Sequence, residues 1–259
     1  MRPGAGAEGL GVAEAIRRLA AVQKGGRGGP PYSLLVNRPL GRVFAALAYR
    51  AGLTPNQVTG VSALLTFLGI GILAVAPPRW WVGLVVAACL VIGYALDSAD
   101  GQLARLRGGG SLLGEWLDHT IDSIKVASVH LAVLVTWYRS FDLAPGWLLV
   151  PLLFTLVSQV HFFGMILVDL LARSRRASLG LSPPPKAGVQ LSRSLMKLPT
   201  DYGVFCLATA LLGAHTAFVV VYTLLAAATA GYTLLVLGKW RRDVIALDGL
   251  EAAPTTHLG

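Results

Sequence analysis

Apolar residues run through this chain in long blocks separated by short basic or Gly/Pro-rich stretches. A bilayer crossing needs roughly 20 predominantly apolar residues. Blocks near that length run over 57–76, 80–106, 112–138, 147–172 and 216–237, and a shorter one over 202–212 that is extended back toward Lys197. The pattern therefore predicts six transmembrane helices. Trp80, Trp81, Trp137, Tyr138, Trp147 and Trp240 sit at block ends, where interfacial anchors are found. Before the first block, Leu34, Leu35, Leu40, Val43, Phe44, Leu47 and Ala48 recur at helical spacing with Arg38, Arg42 and Arg50 between them. That is an amphipathic helix suited to the membrane surface. The expected fold class is an all-α, polytopic integral membrane protein. A flexible cytoplasmic segment over 1–31 would carry a short helix at Val12–Val22, a membrane domain would fill 32–242, and a cytoplasmic tail would occupy 243–259.

Composition agrees: 54% of the residues are hydrophobic, 14% are charged, and the mean hydropathy is +0.64. A water-soluble domain usually carries about a quarter charged residues. The net charge of +9 lies between the apolar blocks. Arg105 and Arg107, the stretch from Arg173 to Lys197, and Lys239 to Arg242 fall on one side, whereas the other side carries only Arg79 and Arg139. Positive-inside bias then places both termini and the basic loops in the cytoplasm of a multi-pass cell-membrane protein. No nucleic-acid-binding motif accompanies the charge. Cys89 and Cys206, both within apolar blocks, read as small buried hydrophobes.

Four aspartates within 26 residues interrupt two of these blocks: Asp97, Asp100, Asp118 and Asp122. Acidic residues inside membrane helices are costly and mark function. At about 3.6 residues per turn, Asp97, Asp100, Gly101, Ala104 and Arg105 share one helix face, and Gly114, Asp118 and Asp122 share another. The turn from Arg107 to Ser111 makes the two helices antiparallel neighbours, so their acidic faces can meet near the cytoplasmic surface. Four close carboxylates repel unless protons or cations neutralise them. A hard divalent ion is the natural solution, and two could hold a pyrophosphate. Small residues at Gly101, Ala104 and Gly114 would admit a ligand close to the backbone, and Arg105 could meet a phosphate.

The spacing D-x2-D-G-x2-A-R-x8-G-x3-D-x3-D over 97–122, with every fixed position filled, resembles the signature of the CDP-alcohol phosphatidyltransferase family. The resemblance extends to the interfacial helix, the six spans and Thr54-Pro-Asn56-Gln-Val-Thr59 at the head of the first span. It implies an enzyme of phospholipid biosynthesis that moves a phosphatidyl or other phosphoalcohol group from a CDP-alcohol, in many members CDP-diacylglycerol, to a polar acceptor alcohol, releasing CMP. Asp97, Asp100, Asp118 and Asp122 would bind two Mg²⁺ or Mn²⁺ ions, and Asp122 would also act as general base. Asn56, Thr59, Gly101, Ala104, Arg105 and Gly114 would hold the nucleotide. A homodimer is implied as well. Lys125 reads either as a partner of Asp122 or as a contact to an acceptor phosphate. Arg173, Arg175, Arg176, Arg193 and Lys197 fit membrane topology, or, for one or two of them, recognition of a phosphorylated polyol such as inositol phosphate or glycerol phosphate. Asp169 and Arg173 are expected to pair, and Asp201 to cap the helix after it. A magnesium-dependent prenyltransferase would put its acidic motifs in distant segments, and an ion transporter would spread its ligands across midplane helices.

Overall fold

In the computed structural model, residues 11–23, 29–182 and 194–250 are described, and every regular element among them is helical. The expected N-terminal helix is present as α1, Val12–Gln23. Its buried Leu19 packs with Ala45, Ala48, Val58, Ala99 and Leu103. A π-helical turn, Ser33–Asn37, leads into α2, Arg38–Arg50. Helix α2 turns its small residues inward, with Gly41, Ala45 and Ala48 buried and Leu40, Val43 and Leu47 exposed. A Cβ on Gly41 would lie 2.8 Å from Ser98 Oγ and Gln102 Nε2. The Gln102 side chain in turn donates to the Arg38 carbonyl at 3.2 Å.

Helix α3, Pro55–Val75, opens with Pro55 in its first turn and a reciprocal cap: Gln57 N donates to Thr54 Oγ1, and Thr54 N donates to the Gln57 side chain. It ends at Ala76, ahead of two prolines. Helices α4, Trp80–Leu106, and α5, Leu112–Ser140, are joined by a turn in which Gly108 and Gly109 take φ of +99° and +136°. Residues with a Cβ rarely adopt that backbone, so glycine shapes the reversal. Small residues also let α3 and α4 touch. Ser62 Oγ donates to the Gly93 carbonyl at 2.8 Å, and a Cβ on Gly93 would sit 2.3 Å from Thr66 Oγ1.

Helix α6, Leu149–Ser178, follows a 3₁₀ turn at Pro145–Leu148. The short α7, Tyr202–Ala208, continues as a 3₁₀ helix, Thr209–Gly213, before α8, His215–Asp248. The core fills the half of the bundle away from the α4–α5 turn, with Leu73, Val86, Leu90, Val133, Phe154, Leu212, Phe218 and Tyr222 at its centre. Leucines such as Leu64, Leu84, Leu153, Leu156 and Leu234 cover the outside, as expected where lipid is the solvent.

Among the described residues, five helices are long and apolar enough to cross a membrane: α3, α4, α5, α6 together with its 3₁₀ turn, and α8. The sixth block differs from expectation. Pro199 sits within a 3₁₀ turn, Leu198–Thr200, so no helix extends back to Lys197, and the apolar helix is confined to Tyr202–Gly213. Asp201 caps it as expected, accepting from Gly203 N at 3.2 Å, and also accepts from Tyr32 N at 2.8 Å and Ser33 N at 3.3 Å. The segment runs beside α4, from Tyr202 against Tyr94 to Gly213 against Trp80. Trp137 corrects a second expectation: it is buried in the core beside Tyr222, not placed at an interface. Helix α8 also passes the expected boundary at 242 and ends at Asp248.

Substituting Gly93→Val should overpack the α3–α4 contact at a cost of about 1–3 kcal/mol. Thermal unfolding of the purified protein in detergent would show a lowered midpoint. Gly60→Ala, where a Cβ meets open space, should leave the midpoint unchanged or raised. A Gly93→Val protein as stable as the parent would contradict the packing.

Candidate active site

The antiparallel α4–α5 pair brings the acidic faces together beside the glycine turn. Carboxylate oxygens of Asp97, Asp100 and Asp118 all lie within 4.8 Å of one another. Asp100 is buried and held by two donors, Thr59 Oγ1 at 2.5 Å and Gly101 N. Thr59 projects from α3 and also contacts the Pro55 carbonyl at 3.1 Å, so the capped start of α3 fixes the orientation of Asp100. Oxygen ligands at this separation, partly buried and already oriented, suit a hard divalent cation. Asp122 stands apart from that trio. Lys125 Nζ lies between it and Asp97, 2.5 Å from Asp97 Oδ1 and 3.1 Å from Asp122 Oδ1. Of the two readings of Lys125, the pairing is therefore present, and it reaches across helices to Asp97 as well.

Two cavities flank the aspartates. The first, about 470 Å³, is lined by Asp100 and Asp118 together with all six expected nucleotide residues: Asn56, Thr59, Gly101, Ala104, Arg105 and Gly114. A Cβ on Gly101 would meet only the Arg105 guanidinium, at 3.6 Å, so this backbone faces open space. Gly114 instead serves packing, because a Cβ there would press on Ser111 Oγ and Asn56 Oδ1. Arg107, Gly109, Gly110 and Ser111 complete the rim.

The second cavity, about 580 Å³, lies on the other side and is lined by Asp97, Asp122 and Lys125. Its further walls include Tyr94, Phe154, His161, Tyr202 and Trp240, with Lys197, Thr200, Asp201 and Lys239 also among them. Lys239 belongs to a basic stretch read as topology and Lys197 to one read as topology or phosphate recognition, and their separation in sequence hides their meeting at one cavity. Arg173 and Arg176 do not line it. Arg173 is exposed and pairs with Asp169 at 3.1 Å, as expected, and with Glu115 of α5 at 2.7 Å. Arg176 is half-buried on the same helix end. Arg193 lies outside the described residues. His130 bridges Tyr222 and Ser158 at 3.0 and 3.1 Å, and His161 meets Thr233 at 3.1 Å, so both act as interhelical hydrogen bonds.

A family model described as CDP-alcohol phosphatidyltransferase matches residues 52–240. A phosphatidylinositol phosphate synthase from Mycolicibacterium smegmatis is 35% identical over 122 residues, 47% of this chain and 52% of that protein. An archaetidylinositol phosphate synthase from Pyrococcus horikoshii is 35% identical over 112 residues, 41% of this chain and 55% of that protein. The chain thus spans about half the length of these curated relatives. The crystal structure of Mycobacterium tuberculosis phosphatidylinositol phosphate synthase with CDP-DAG bound superposes with a TM-score of 0.52 at 22% identity. That superposition covers 79% of this chain and 93% of the other, a likeness of fold.

Asp100→Asn or Asp118→Asn should weaken Mn²⁺ binding by about tenfold or more, read by equilibrium dialysis of the purified protein. Asp169→Asn, on the exposed side of α6, should leave it unchanged. Equal affinities in all three proteins would remove the carboxylate trio as a metal site.

Proposed function

The chain belongs to the CDP-alcohol phosphatidyltransferase family, and from that premise we propose that it moves a phosphatidyl or other phosphoalcohol group from a CDP-alcohol to an acceptor alcohol, releasing CMP. The observation that carries this reading is the convergence of Asp97, Asp100 and Asp118 beside a cavity walled by Asn56, Thr59, Gly101, Ala104, Arg105 and Gly114. The open backbone at Gly101 suits a close pyrophosphate, and Arg105 supplies a fixed positive charge. Divalent ions held by the aspartates would neutralise the pyrophosphate and make CMP a good leaving group.

The acceptor would approach from the second cavity, which Asp122 lines. Its hydroxyl oxygen bonds to the phosphorus carrying the donor alcohol, the bond from that phosphorus to the CMP oxygen breaks, and the hydroxyl proton passes to Asp122. With little covalent chemistry on the protein itself, its share is positioning and charge stabilisation. The names of the two relatives favour inositol phosphate as acceptor, and the donor would be CDP-diacylglycerol or a similar lipid-linked CDP-alcohol. Lys125 lies at the acceptor side, and Lys197 and Lys239, which line the same cavity, join it as candidates for an acceptor phosphate.

The same reading includes the membrane arrangement. Residues 198–213, with 3₁₀ turns at both ends, reach about 27 Å by the rises of the two helix types, close to a hydrocarbon core of about 30 Å. That segment serves as the sixth span, returning the chain from α6 to the start of α8. The exposed Leu40, Val43 and Leu47 of α2 would rest in the membrane surface, with both termini and the site cytoplasmic and the protein a homodimer.

Purified protein with Mn²⁺ and labelled CMP should exchange label into CDP-diacylglycerol. EDTA should stop the exchange and added Mg²⁺ or Mn²⁺ restore it. Asp97→Asn and Asp118→Asn should each lower the rate by about a hundred- to a thousandfold while the protein still inserts. Exchange that survives either substitution or EDTA would refute the mechanism. Lipid products read by mass across candidate acceptors would identify the acceptor.

A further inference from the structure

Lys125 sits one turn beyond Asp122 on α5, and only 5% of its surface is exposed. A lysine that deep is costly unless its charge is compensated, and here two carboxylates compensate it. Its ammonium reaches Asp97 on the neighbouring helix and Asp122 on its own. These are the two aspartates that line the second cavity, whereas Asp100 and Asp118 line the first. The four carboxylates therefore divide between two positive charges. Asp97, Asp100 and Asp118 converge closely enough for one cation. Asp97 and Asp122 already embrace another, and that one is part of the protein.

We propose that the Lys125 ammonium occupies the second cation position of the nucleotide-free protein, which consequently holds a single divalent ion on Asp97, Asp100 and Asp118. This rests on the metal-binding reading above. A second ion reaches Asp122 only by displacing the lysine, since a monovalent and a divalent cation sharing one carboxylate pair repel. Lys125 lines the second cavity, so a displaced ammonium remains on the acceptor side. The residue is thus a positioning group. It fixes Asp122 before the nucleotide arrives and sets how many ions the empty site accepts.

The test is a stoichiometry. Full-length protein, purified free of nucleotide, is dialysed against Mn²⁺, and bound metal per protomer is counted for the wild type and for Lys125→Met. Methionine fills a similar volume without charge. The wild type should bind one Mn²⁺ and Lys125→Met two, with the first site retained in both. Lys125→Gln gives the same comparison should methionine prevent folding, and the wild-type count stands without any variant. Two ions in the nucleotide-free wild type would overturn the proposal, as would one ion in a folded variant. No tight Mn²⁺ in either protein would overturn both this proposal and the metal site beneath it. Two in the wild type removes the role of Lys125 and leaves the transferase reading intact.

Discussion

The cost of carboxylates in a low-dielectric bundle is the constraint around which this molecule is arranged. Four aspartates on two helices can coexist only if positive charge or hydrogen-bond donors meet each of them. Asp100 receives Thr59 and the Gly101 amide, and Asp97 and Asp122 receive Lys125. Asp118 has the side chain of His119 nearby, 3.9 Å away and too far for a hydrogen bond. What the protein itself does not neutralise is left for a ligand to neutralise. The partial compensation leaves Asp97, Asp100 and Asp118 as a cluster that could hold a cation.

Convergence of that kind needs helices that approach closely, and small residues supply it. Gly93 and Ser62 bring α3 onto α4, Gly41 brings α2 onto the same helix one turn from Asp97, and Gly114 sets α5 against Asn56. Each contact fixes an element that carries a site residue. Packing and chemistry are therefore one problem here: a bulky residue at Gly93 loosens the helix that presents Thr59, and with it the orientation of Asp100.

Much of this was legible in the sequence because its signals are local. The aspartate spacing needs only the helical repeat, and the five long spans need only apolar length. What the sequence hid depends on distance across the fold. Lys125 reads as an i, i+3 partner of Asp122, but its shorter contact is to Asp97, 28 positions earlier. Trp137 sits at a block end like an anchor, yet it faces the core because α5 turns that side toward Tyr222. The block at 202–212 reads as a helix extended back toward Lys197, but Pro199 and the cap at Asp201 confine it to Tyr202–Gly213, part α-helical and part 3₁₀. Lys239 reads as a topology signal and Lys197 as topology or a phosphate contact, and only the fold puts both on one cavity.

The two sides of the aspartates are built differently, and the difference has a functional logic. The side with the first cavity is made from the ends of α3, α4 and α5 and the tight turn between the last two, all fixed by caps and close helix contacts. The other side is closed by helices together with irregular chain: Gly29 and Pro30 before α2, and the run from Lys197 to Tyr202 before and into α7. Asp201 ties these two stretches together by accepting from Tyr32 and Ser33, and the Tyr32 ring fills the space where Gly203 lacks a side chain. Connecting segments tolerate sequence change far better than packed helices do. On the proposed reading, the nucleotide would meet the fixed side and the acceptor the irregular one. The helices hold the aspartates in register, and the irregular wall can change in sequence without moving one. The buried Asp201 contact is what joins the two stretches of that wall.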